Sequence, residues 1–167
     1  MAIITGDFVT RLSGGATNTL GDASLGGAKS ANAAPTTLDG LFDASTAAQA
    51  AAGTVEYRCI YLHNANAADT MTSAVNFMSS NTPLTSTTID IGVGTSAVNG
   101  TEQTIATEAT APTGVTFSAP TTAATGLALG NIPFGQHRAF WVRRTVTAGS
   151  ASSPNDAYTV GYQCETA

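Results

Sequence analysis

The side chains able to do chemistry are few, and they stand apart from one another. Two histidines, His63 and His137, fall at a predicted strand end and beside a predicted turn. A zinc or transition-metal site needs several Cys, His or carboxylate ligands converging on one ion, and neither histidine has such neighbours at ligand spacing. Both read as polar residues on a rim. The 11 acidic residues are scattered singly, and no two mark an acid–base pair. No serine occupies a nucleophile elbow. Gly21-Asp-Ala-Ser-Leu-Gly-Gly-Ala-Lys-Ser30 nearly spells a phosphate-binding loop, but Ala28 puts Lys29 out of register. Ala33-Ala-Pro35 then blocks the helix that such a loop must open. The stretch reads as an extended loop, and a non-enzymatic protein without cofactor or metal is expected.

The remaining reactive groups are thiols and guanidinium groups. Cys59 and Cys164 are too few for a disulfide framework. Both fall on inner faces of predicted strands, where a reduced cysteine serves as a small apolar filler. Arg58, Arg138, Arg143 and Arg144 supply most of the positive charge, and all lie on predicted strands. They fit either solvated edges with internal ion pairs or salt bridges between subunits, since the guanidinium fork suits interface carboxylates.

Composition bounds the class. The 167 residues fit one domain, 1–167, with a sizeable core. Charged residues make up only 10%, against about 25% in a typical soluble domain. Lysine occurs once, at Lys29. A net charge of −5 argues against a nucleic-acid footprint, which needs a basic stripe. No apolar run approaches the ~20 residues that span a bilayer. The first residues lack the features of a secretory signal, and Ala2 excludes myristoylation, so synthesis in a cytoplasm is expected. Small, uncharged, Ala- and Thr-rich chains suit β-surfaces packed into large assemblies.

The elements that position these residues are mostly strands. Arg138–Ala148 is the bulkiest segment and reads as a central strand. Side chains alternate across it, so Phe140, Val142 and Val146 share one face and Ala139, Trp141 and Arg143 the other. The first face fills a core; the Trp141 face needs cover from the same chain or from a neighbour. Residues 2–12 read as a first strand, with Arg11 pointing away from Phe8, Thr10 and Leu12. Residues 13–40 form a Gly-rich arm with isolated Leu20 and Leu25 and no periodicity, lying on its own body or on a neighbour and expected to be ordered by contact with a neighbouring subunit. Asp43 or Ser45 can cap a short helix over 44–52, which Gly53 ends. Strands are predicted over 55–63, 71–78, 87–93, 101–107, 115–117, 127–129 and 158–164, with Asn99-Gly100 as a tight hairpin signal. The pattern predicts a mainly β, single-domain antiparallel β-sandwich or jelly-roll-like fold with an extended N-terminal arm and one short helix. Trp141, Arg143, Arg11, Leu20 and Leu25 are the candidate interface residues, because a large aromatic, guanidinium groups and isolated leucines on a charge-poor chain are the groups that want a partner.

Several stretches also resemble small virion proteins of tailed bacteriophages. They are Phe8-Val-Thr-Arg-Leu-Ser-Gly-Gly-Ala-Thr-Asn-Thr19, Ser24-Leu-Gly-Gly-Ala-Lys-Ser30, Leu41-Phe-Asp43 with Tyr57-Arg-Cys-Ile-Tyr61, and Leu129-Gly-Asn-Ile-Pro-Phe-Gly135 with Phe140-Trp-Val-Arg-Arg-Thr-Val146. Residues 65–125 carry none of the resemblance. It implies a structural component of the virion, foremost a capsid decoration or cement protein. Such a protein binds the assembled shell as a dimer or trimer and reinforces junctions between copies of the major capsid protein. The capsid is then the other contact expected to order residues 13–40. It would contact neither nucleic acid nor membrane. A tail, collar or fibre-associated protein would use the same sandwich. A carbohydrate-binding or host-surface module should show solvent-facing aromatics, whereas most of this chain's aromatics fall at inward-looking positions.

Overall fold

A computed structural model describes residues 2–37, 40–82, 87–150 and 157–166. Its centre is a four-stranded antiparallel sheet built from β1 (Phe8–Leu12), β3 (Thr54–Asn64), β8 (His137–Val146) and β5 (Thr87–Val93), in the order β1-β3-β8-β5. The Trp141 segment therefore is a central strand. A three-stranded antiparallel sheet, β7-β4-β9, combines β7 (Leu127–Ile132), β4 (Met71–Thr82) and β9 (Ala157–Thr166). The protein is mainly β, and α1 (Ala47–Ala52) is a single short helix among the described residues. Thr46 caps it through its hydroxyl, and Gly53 ends it at φ 78°.

The two sheets bury one core between them. Leu12, Ile60, Leu62, Ile89, Ile91, Phe140 and Val142 come from the larger sheet, and Met71, Ala74, Met78, Leu129 and Ile132 from the smaller. Tyr162 of β9 meets Phe140 edge-on at 6.0 Å and lies along Phe8 at 6.2 Å. The opposite face of the larger sheet holds a second core of Tyr57, Cys59, Tyr61, Ala139 and Trp141, roofed by Leu25, Ile105, Val115 and Phe117. With both faces covered, β3 is buried almost without alternation.

The roof corrects the expectation for the arm. Residues 13–37 fold onto their own domain rather than reaching out for a neighbour. The Cys59 N–H donates to the Ser24 carbonyl at 2.7 Å, and the Ile105 N–H to that of Leu25 at 2.9 Å. A two-residue strand in the arm, β2 (Gly26–Gly27), pairs with β6 (Glu102–Thr104). The Tyr61 hydroxyl ties this pair to the sheet, donating to the Gly27 carbonyl and accepting from the Glu102 N–H at 2.9 Å. Beyond it, the arm runs back beside β1, with Ala34 N–H to Thr10 carbonyl at 3.0 Å and an Arg11↔Ala33 bridge. Residues around Ser118 do the same at the β5 edge, exchanging both backbone hydrogen bonds with Ile91. Both edges of the main sheet are thereby blunted, which removes a template for strand addition.

Three local expectations also change. Residues 2–7 are not strand; a 3-10 turn at Thr5–Asp7 precedes β1. Residues 115–117 have no strand ladder and serve as roof. Asn99 takes the left-handed φ of 60° expected of a turn, but β5 and β6 do not pair with each other, because β6 is claimed by the arm.

Candidate interaction surface

The structure separates the five candidate interface residues. Trp141 is fully buried, opposite Cys59 on β3 and Gly92 on β5, under the roof of the second core. Its indole N–H finds no partner among the described residues, so packing holds it. The chain itself supplies the cover, and Trp141 is a core residue rather than an exposed anchor. Leu25 belongs to the same roof, its side chain packed against that core.

Arg143 faces Asp90 across the β5–β8 ladder and sends Nε and Nη2 to its Oδ2 at 3.1 and 2.7 Å. Its guanidinium also lies 5.0 Å from the centre of the Phe117 ring. Two of its five N–H donors are thus used inside the chain. Arg11 is half-buried at the β1 edge and donates from Nη1 to the Ala31 carbonyl at 2.5 Å. Leu20 alone of the five is well exposed, at 58%.

The other arginines are also turned inward. Glu56 and Arg144 are direct cross-strand partners, and Arg144 Nε reaches Glu56 Oε2 at 2.7 Å. Arg58 is wholly buried, with Nη2 on Glu108 at 2.5 Å and Nε on the Leu41 carbonyl at 3.1 Å. Both guanidinium groups lie over the Phe42 ring, Arg58 at 5.2 Å and Arg144 at 4.9 Å from its centre. Arg138 donates to the Gly94 and Ser96 carbonyls. Within the chain, Arg58, Arg143 and Arg144 are thus paired with carboxylates, and Arg138 is bound by carbonyls.

Two surface groups escaped the sequence reading. Ile4 is 65% exposed and Phe134 57%. Both lie at the end of the sandwich where β1 starts and β3 finishes. There the Ala65 N–H binds the Asp7 carbonyl at 2.9 Å, and the Gly135 N–H binds that of Asn64 at 3.0 Å. Beside Ile4 lies a shallow depression of about 380 Å³ lined by Ile3, Thr5, Phe8, Tyr162, Gln163 and Cys164. Phe134, an aromatic between Pro133 and Gly135 in a turn, carried a legible signal; Ile4 looked like part of a strand.

The electrostatics of the second core suit structure. Cys59 is free and buried, and burial pushes its thiol well above the usual range, with Glu102 adding to the shift. Burial by itself would raise the Glu102 carboxyl, but hydrogen bonds from Ser96 and Thr95 outweigh it and hold the group low. Cys164 is also free and lies half-buried at the margin of the other core, on the far side of the main sheet from Cys59. Among the described residues, no three His, Cys, Asp or Glu side chains are grouped to hold a metal ion.

Fold and surface together define a class: a double-cored antiparallel β-sandwich with three of its five arginines paired to carboxylates of the same chain. Comparisons with protein-family models, with curated proteins and with solved structures found no match to this chain.

Proposed function

We propose that the protein is a non-enzymatic structural component of a tailed-bacteriophage particle, a decoration or cement protein that binds the assembled shell and stabilises capsomer junctions. Its partners are then the major capsid protein and further copies of itself. The observation that carries this reading is the disposal of charge. All five arginines lie on the main sheet and donate within the chain, three to carboxylates and two to carbonyls, and much of the exposed surface is Ala, Thr, Ser and Gly. Such a surface loses little solvation free energy when it packs against protein, because few charges must be stripped of water. Ile4, Leu20 and Phe134 remain as the large exposed apolar contacts. The resemblance in residues 8–61 and 129–146 points the same way.

Mixing the purified protein with shells that lack it tests the reading. Saturable co-sedimentation is expected, with a rise in the temperature at which shells come apart. Absence of binding to intact shells would remove the proposal.

A further inference from the structure

We propose that Arg11 and Lys29, backed by His63 and His137, form an oxyanion site that takes a carboxylate from an acidic segment of a partner protein. The strand register gathers the group. His63 is the direct partner of His137 across the β3–β8 ladder and of Val9 across β1–β3, and Arg11 stands two residues further along β1, opposite Tyr61. The arm brings Lys29 over this corner, held in place by the Ser30 N–H on the Leu12 carbonyl at 2.8 Å and by the Tyr61 hydroxyl on Gly27. Tyr61 in turn meets the His137 ring edge-on at 4.9 Å.

What sets the corner apart is positive charge with no carboxylate paired to it among the described residues. The chain has six Lys and Arg against 11 Asp and Glu, yet two of the six sit here with both histidines. Elsewhere Arg58, Arg143 and Arg144 each have a carboxylate. Here, among the described residues, the bonds made by the two cations go to backbone carbonyls, Arg11 to Ala31 and Lys29 to Ser30 at 3.4 Å. Arg11 Nε and the Nδ1 atoms of both histidines have no partner among the described residues. The four residues are half-buried, and because Arg11 Nε and the two Nδ1 atoms are themselves shielded from solvent, a ligand would meet the Arg11 and Lys29 side-chain ends, with the imidazoles behind them. Burial and then the charge of Arg11 lower the Lys29 ammonium, as expected where like charges meet without a counter-ion. Burial, followed by the charges of Lys29 and Arg11, lowers the His63 imidazole as well.

A carboxylate placed between Arg11 and Lys29 would restore the balance through charge-assisted hydrogen bonds. The net charge of −5 repels polyanions at longer range, which favours a short acidic peptide segment over nucleic acid. The inference stands on this cluster alone and does not depend on the particle reading.

Both histidines of the chain lie in the site, so their imidazole NMR signals report on it without interference. The isolated protein is titrated near neutral pH with a blocked tetraglutamate peptide, and separately with inorganic phosphate. The peptide should shift both imidazole signals saturably. The Arg11→Gln/Lys29→Gln double variant should weaken that binding by about tenfold or more. Should the double variant fail to fold, Lys29→Gln alone serves, with a smaller loss expected. Unshifted signals, equal binding by the folded variant, or a response to phosphate but not to peptide would each overturn the assignment.

Discussion

Trp141 and Leu20 are both large apolar side chains, and the protein uses them in opposite ways. Trp141 fills the second core, whereas Leu20 stands in solvent on the arm. Trp141→Ala should therefore destabilise the isolated domain by about 3–5 kcal/mol, seen as a lowered denaturant midpoint. A melting curve that barely moves would contradict its place in the core. Glu56 poses a related question of burial. It is almost fully buried against Arg144, so Glu56→Ala would strand a guanidinium and should cost about 3–5 kcal/mol. The histidines set a pH dependence of their own. Burial first, then nearby cations, holds both imidazoles below the usual 6.5. The unfolded chain then takes up protons first as the pH falls. Stability is full above about pH 6.5 and is lost as the pH drops through the folded-state values. The denaturant midpoint should fall between about pH 7 and pH 5, and His63→Gln with His137→Gln should flatten that decline.

At the scale of elements, the arm is the revealing case. Gly26 adopts φ 94°, and a Cβ there would lie 1.8 Å from the Gln103 carbonyl oxygen, a contact only glycine avoids. Gly26→Ala should break the β2–β6 pair and loosen the roof over Trp141. Limited proteolysis of the isolated protein should then cut within residues 13–37 of the variant while leaving that stretch intact in the parent. Equal resistance of the two would show that the arm is held by other contacts. The cysteines report on the same layering. Cys164 should alkylate in the native protein and Cys59 only on unfolding, with both reacting in denaturant without reductant. An unreactive pair in denaturant would show a disulfide.

These elements also mark what was legible in the sequence. β3, β5, β8 and β9 stood out because bulky side chains repeat with a period of two over seven or more residues. The phase of β4 did not, since Ser73 at φ 51° inserts a bulge that turns Ala74, Asn76 and Met78 inward and leaves Val75 and Phe77 half-buried. β2 is two glycines, with no side chain to betray a strand. Its pairing is decided by backbone hydrogen bonds to β6, some 75 residues away in sequence. Trp141 was visible as a residue needing cover, but the identity of its cover depended on that long-range pairing. For the same reason the cluster of Arg11, Lys29, His63 and His137 was invisible: its members are spread along the chain, and only strand register and the arm bring them together.

For the whole molecule, the fold leaves little undone within one chain. Two cores lie on either side of the main sheet, its edges are covered by loops, and three of its five arginines are paired with carboxylates of the same chain. A domain of this kind has no need of a partner to complete its core, which fits a protein added to a shell already built. The surface left for contact is weakly charged, with isolated apolar groups at Ile4, Leu20 and Phe134. The most direct measurement is a low-resolution electron-microscopy map of particles, compared with a map of particles lacking the protein. The proposed function requires difference density on the shell exterior at capsomer junctions, repeated with the symmetry of the capsid. Difference density confined to the tail or collar, or none at all, would contradict it.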